Sequence, residues 1–110
     1  MHGENRLPAR QCRRQGGEAV REIPPGRLYE ALLSLRTDEE CRAFLEDLLT
    51  PGEIEAFVQR LEVARLLARG STYEAAAEQT GASATTISRV RRALYRGAGG
   101  YRLVLGRMRE

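Results

Sequence analysis

From Leu28 onwards apolar residues return every three or four positions, the period of helices that each bury one face. Leu28, Tyr29, Leu32, Leu33 and Leu35 predict a helix over about Gly26 to Leu35. Thr37-Asp38-Glu39-Glu40 reads as a capping box, with the Thr37 hydroxyl accepting from the Glu40 amide and the Glu40 carboxylate reaching back to the Thr37 amide. It opens a second helix carrying Cys41, Phe44, Leu45, Leu48 and Leu49. Thr50-Pro51-Gly52-Glu53 repeats the start signal with Pro at the first helical position, and predicts a third helix to Arg69 that Gly70 stops with a left-handed cap. Ser71-Thr72-Tyr73-Glu74 reads as a further capping box before a short helix to Thr80. Gly81 breaks that helix, and Ser83 caps a fifth running to about Arg96. After Gly97, Gly99 and Gly100 a last helix runs from Tyr101 through Leu103, Val104 and Met108. Nothing alternates with strand period, so the class is all-α.

The third helix departs from the one-stripe pattern. Ile54, Phe57, Val58, Leu61, Val63, Ala64, Leu66 and Leu67 cover more than one face. A helix apolar on two sides must be buried on two sides, and in a chain of 110 residues that suggests a second copy. Residues 1–26, with four Gly, three Pro and few large apolar side chains, read instead as a flexible arm, leaving 27–110 as the helical domain. Arg6, Arg10, Arg13 and Arg14 on the arm could touch phosphates or simply solvate it.

Charge sharpens this picture. Residues 1–27 hold six Arg and three Glu, a net +3; residues 28–70 hold five Arg and nine acids, a net −4. Residues 71–110 return to a net +4, with seven Arg and three acids. Basic ends around an acidic middle point to a polyanion such as nucleic acid, although charges that only solubilise a helical surface would give the same totals. All 18 basic residues are Arg, which follows from an Arg-rich composition as readily as from selection for the guanidinium fork.

Candidate chemistry is sparse. Cys12 and Cys41 stand far apart with no CxxC pairing, and His2 is the one histidine, so no metal set or nucleophile–base pair emerges. Two free thiols and the lack of a signal-peptide pattern or membrane-length apolar run fit a cytoplasmic chain that is not an enzyme and needs no cofactor. Cys41 is expected to serve as a small core hydrophobe.

Residues 73–92 fit a helix-turn-helix position by position. Ala77 is small where two helices would cross, and Gly81, four residues later, tolerates the positive φ of a tight turn. Ile87 and Val90 send apolar side chains back against the first helix, with Ala76 and Ala82 filling the space between. Ser83, Ala84, Thr85, Ser88, Arg89 and Arg92 are then left facing outward. Small hydroxyl and methyl groups let a helix approach base edges, and Arg can grip guanine O6 and N7. Arg91 adds to the positive charge, and Thr72 and Tyr73 at the first helix's amino end can donate to a phosphate. Arg96 suits either a phosphate contact or the helix dipole.

The blocks Leu49-Thr50-Pro51, Gln59-Arg60-Leu61-Glu62-Val63-Ala64 and Gly81-Ala82-Ser83-Ala84-Thr85-Thr86-Ile87-Ser88-Arg89 resemble the Trp-repressor superfamily. Within it they are most similar to the YerC/YecD branch, which Leu28-Tyr29-Glu30-Ala31-Leu32 and Asp38-Glu39-Glu40-Cys41 match as well; the likeness covers about residues 27–105. It implies an intertwined all-helical homodimer, a bacterial transcriptional regulator whose two recognition helices enter successive major grooves. In the repressor two Arg side chains sandwich an indole, a Thr begins the long central helix and a Gly follows the second Arg. Thr50, Arg60 and Arg89 stand at the matching positions and mark a candidate effector site, but Val90 holds the Gly position. A branched side chain there crowds the ligand, and the turn before the motif is one residue shorter, so tryptophan is not the expected effector. Whether another small molecule binds stays open.

These observations favour a dimeric, sequence-specific binder of double-stranded DNA that reads the major groove with the helix at 84–96. A helical protein-interaction or dimerisation module, or a weakly specific nucleoid-type binder, is the alternative.

Overall fold

The computed structural model describes residues 21–108. The predicted arm up to residue 20, with its four Arg and Cys12, lies outside them. Among the described residues there are six helices and no strand: α1 (Gly26–Leu33), α2 (Asp38–Leu48), α3 (Pro51–Ala68), α4 (Tyr73–Thr80), α5 (Ala84–Arg96) and α6 (Gly100–Met108). The expected all-α class is what the chain adopts, and none of these helices is long and apolar enough to cross a membrane.

The helix ends follow local hydrogen-bond chemistry closely. At α3 both halves of the capping box form: the Glu53 amide donates to Thr50 Oγ1 (3.1 Å) and the Thr50 amide to Glu53 Oε1 (2.9 Å). The helix finishes one residue before Arg69 in a Schellman arrangement, the Gly70 amide donating to the Leu67 carbonyl and the Ser71 amide to that of Leu66. At α2 the box forms differently from expectation. Thr37 Oγ1 accepts from the Glu40 amide (3.0 Å), but the Glu40 carboxylate takes the Arg36 amide (2.8 Å) instead of Thr37's own. At α4 the cap is Thr72, not Ser71; its Oγ1 accepts from Ala75, so Glu74 falls one place short of the box position. The first helix also ends earlier than Leu35, at Leu33.

The chain divides into two compact units, one up to Phe44 and one from Leu45. In the first, α1 and the start of α2 bury none of their residues. Cys41 is exposed, which corrects its expected place in the core: among the described residues no element covers it.

The second unit holds the core. α3 packs against α4, α5 and α6, and α5 against α4 and α6. Val63, Ala64, Leu66 and Leu67 of α3 meet Ala76, Ala82, Ile87, Val90 and Leu94, with Ala77, Tyr101 and Leu105 partly buried alongside. Each large member contributes roughly 1.5–3 kcal/mol by leaving water, but three of the nine are alanines, so this is a small core. Only the second half of α3 takes part. Phe57 is 49% and Val58 61% exposed, and Ile54 and Leu61 are half-buried. The two-sided burial expected of α3 is therefore not completed among the described residues.

Candidate nucleic-acid interface

The α4–α5 corner is built by its turn. Gly81 has φ of 75° and its amide donates to the Ala77 carbonyl (2.8 Å), a left-handed position that only glycine takes without strain. Thr80 Oγ1 donates to the Ala76 carbonyl (2.7 Å) and accepts from the Ala82 amide (3.1 Å), stitching both sides of the turn. Gln59 Nε2 of α3 donates to the Thr80 carbonyl (3.2 Å), tying the turn to the central helix. Neither Thr80 nor Gln59 stands out in the sequence, because each acts through a single polar contact that no periodicity records. Ala76, expected to fill the space between the helices, is fully buried, and Ala77, expected at the crossing, is partly buried against the core.

α5 starts at Ser83, whose Oγ accepts from the Thr86 amide (3.1 Å) and donates to Thr86 Oγ1 (3.2 Å). Its apolar stripe, Ile87, Val90 and Leu94, is at most 3% exposed. That stripe fixes the helix against α3 and turns the other side outward. Ala84, Thr85, Ser88, Arg89, Arg92 and Arg96, six of the groove-lining residues, border one surface groove with Ala93 and Gly97. On the far side of the Ser88–Arg92–Arg96 ridge a second groove is bordered by Tyr73, Arg91 and Tyr95. The sequence-derived residues from Tyr73 to Arg92 thus lie on one exposed surface, with Thr72 and Ser83 at its edges holding helix caps. α5 carries four Arg and α6 two, and neither has an acid within its bounds. The nearby carboxylates are Glu74 and Glu78 of α4.

The residues put forward for an effector behave less uniformly. Arg60, Arg89, Val90, Thr86, Ala93 and Tyr101 enclose a cleft of about 240 Å3, below the roughly 300–1,000 Å3 usual for ligand pockets. Thr50 is not among its walls and is engaged in capping α3. Arg60 has no acid partner among the described residues; its guanidinium lies 5.6 Å from the Phe57 ring centroid. Val90 sits in the core and walls the cleft, as its branched side chain suggests.

A feature the sequence did not bring out runs along the opposite side. The Arg91 guanidinium lies 5.8 Å from the Tyr73 ring centroid and 5.6 Å from that of Tyr95, and Arg102 of α6 lies 5.7 Å from Tyr95. Three glycines separate Arg102 from α5 in sequence, so only the folded chain brings it to this row.

Comparison with known proteins agrees with this architecture. The family described as Trp repressor protein matches residues 26–109. The chain is 48% identical over 83 residues to a protein of Bacillus subtilis (strain 168), YerC, covering 76% of this chain and 80% of the relative. A crystal structure of a Trp-repressor candidate from Staphylococcus aureus superposes with a TM-score of 0.73 at 43% identity, covering 76% of this chain and 83% of that one. A TrpR-like protein from Eubacterium eligens ATCC 27750 gives 0.72 at 46% identity, covering 76% and 86%. With residues 26–109 matched and three quarters of its length shared with these relatives, the chain belongs to the Trp repressor family, a family of DNA-binding regulators.

Proposed function

We propose that this protein is a dimeric transcriptional regulator that binds double-stranded DNA sequence-specifically, with α5 as its major-groove reader. One observation carries the reading. The Ile87–Val90–Leu94 stripe anchors α5 to α3, while Thr85, Ser88, Arg89 and Arg92 stand exposed along the other side of the same helix. Short side chains at the start of the helix permit close approach to base edges, and the two Arg can pair with guanine. Tyr73, Ala84 and Arg91 line the same grooves, Thr72 and Ser83 cap α4 and α5, and all five are assigned to the DNA backbone or to close packing against it. The incomplete cover of α3 supports the dimer: Phe57 and Val58 need a second chain.

Arg89 borders both the reading groove and the cleft with Arg60, so an occupant of that cleft would alter DNA affinity through this side chain. Tryptophan is not the occupant proposed, since Val90 walls the cleft.

The test is duplex binding by Arg89→Ala and Arg92→Ala, using duplexes that the wild-type protein enriches from a random pool. Each bidentate base contact is worth about 1–3 kcal/mol, so each change should weaken binding roughly 5- to 150-fold. Both side chains are exposed, so the melting temperature should stay put. Unaltered binding by both variants would overturn the assignment of α5.

A further inference from the structure

The Tyr73–Arg91–Tyr95–Arg102 row lies outside the buried core. All four residues are exposed, and they come from α4, α5 and α6. Two guanidinium groups lie 5.6 and 5.7 Å from the one Tyr95 ring. Among the described residues neither Arg91 nor Arg102 has a carboxylate partner. Contact with an aromatic face holds a guanidinium without neutralising it and leaves its N–H edge free to donate. A row of held, unneutralised forks on exposed tyrosines suits a row of anionic groups, and phosphate oxygens match the fork bidentately. The row adjoins the reading surface through Tyr95: Arg91 and Tyr95 border the same groove as Ser88, Arg92 and Arg96, and Tyr95 also borders the neighbouring groove that Arg102 lines.

We propose, resting on the DNA-binding reading above, that Arg91 and Arg102 each grip a backbone phosphate of the bound duplex. The contact thereby extends beyond α5 onto α6, and Tyr95 is the positioning residue that orients both. Arg102 is thus assigned to the DNA interface although it lies outside the helix-turn-helix segment. These contacts carry no sequence information; they add affinity and salt dependence.

The experiment measures affinity against salt concentration for two duplexes of equal length, one enriched from a random pool by the wild-type protein and one of mixed sequence. Each phosphate contact contributes about 0.9 to the slope of log K against log salt, so losing one weakens binding roughly fivefold at about 0.15 M salt. Arg102→Ala and Arg102→Gln should each lower the slope by about that amount per protomer, and weaken both duplexes by the same factor. Tyr95→Ala should also lower the slope, while Tyr95→Phe, which keeps the ring, should restore it. Arg107→Ala removes the same charge from the same helix outside the row and should leave the slope unchanged. If Arg102→Ala and Arg102→Gln keep the wild-type slope while Arg89→Ala still loses binding, the phosphate row is wrong and the α5 reading survives. If the Arg107 change lowers the slope equally, the effect is one of net charge and the row is again wrong. If the wild-type protein binds neither duplex, both readings fall together.

Discussion

Ile87 and Arg89, two residues apart, divide the tasks of α5: one is 1% exposed in the core and the other borders the open groove. Truncating Ile87 to Ala should cost about 2–5 kcal/mol, seen as a large fall in the unfolding midpoint. Glycines give a sharper contrast. A Cβ on Gly97 would stand 2.4 Å from the Ala93 carbonyl oxygen, so Gly97→Ala must shift backbone and should lose about 1–3 kcal/mol. Gly52, in the first turn of α3, has nothing within 4 Å of such a Cβ. Gly52→Ala should be neutral or gain up to about 1 kcal/mol, because alanine loses less backbone freedom on folding. Paired denaturant titrations of these two variants check both signs. At this scale the sequence showed which side of α5 is apolar, since Ile87, Val90 and Leu94 recur at helical spacing. It misplaced Cys41, because a helical period says which positions share a face but not whether anything covers that face.

Helix starts were legible because capping is a local exchange between a hydroxyl and amides two or three residues on. Thr50, Thr37 and Ser83 behave as their spacing suggests, and Thr50→Ala should cost about 1 kcal/mol of stability. Ser71 and Thr72 offered two adjacent hydroxyls, and the Schellman turn at the end of α3 takes the Ser71 amide, leaving Thr72 as the cap. On α3 itself, Arg65 Nε donates to Glu62 Oε1 (3.0 Å), and this bond holds the Glu62 carboxyl below its ordinary value of 4.5. A depressed carboxyl in the folded state stabilises above the unfolded value, and that contribution disappears as pH falls through the lowered one. Glu62→Gln should therefore cost at most about 0.5 kcal/mol near neutral pH, the Glu62 side chain being 43% exposed and screened by water. In strong acid the variant and the parent should unfold alike. The row joining α5 to α6 was not legible at all, since cation–π partners on three helices follow no repeat along the chain.

At the scale of the molecule, α1 and the first half of α3 leave large apolar side chains exposed among the described residues. Leu33 is 85% exposed and Val58 61%. The proposed dimer would cover such faces, and the sequence already signalled it through the two-sided pattern of α3. Sedimentation should find a dimer at micromolar concentration, and Val58→Glu should give monomer or loss of cooperative unfolding; a wild-type monomer would remove the basis for a two-fold DNA site. The measurement that bears most directly on the central claim is selection of bound duplexes from a random pool at moderate salt. Enrichment of a two-fold-symmetric motif, its half-sites about one DNA turn apart, is the predicted result. Recovery of no motif, with only weak and steeply salt-sensitive binding, would contradict sequence-specific reading by α5.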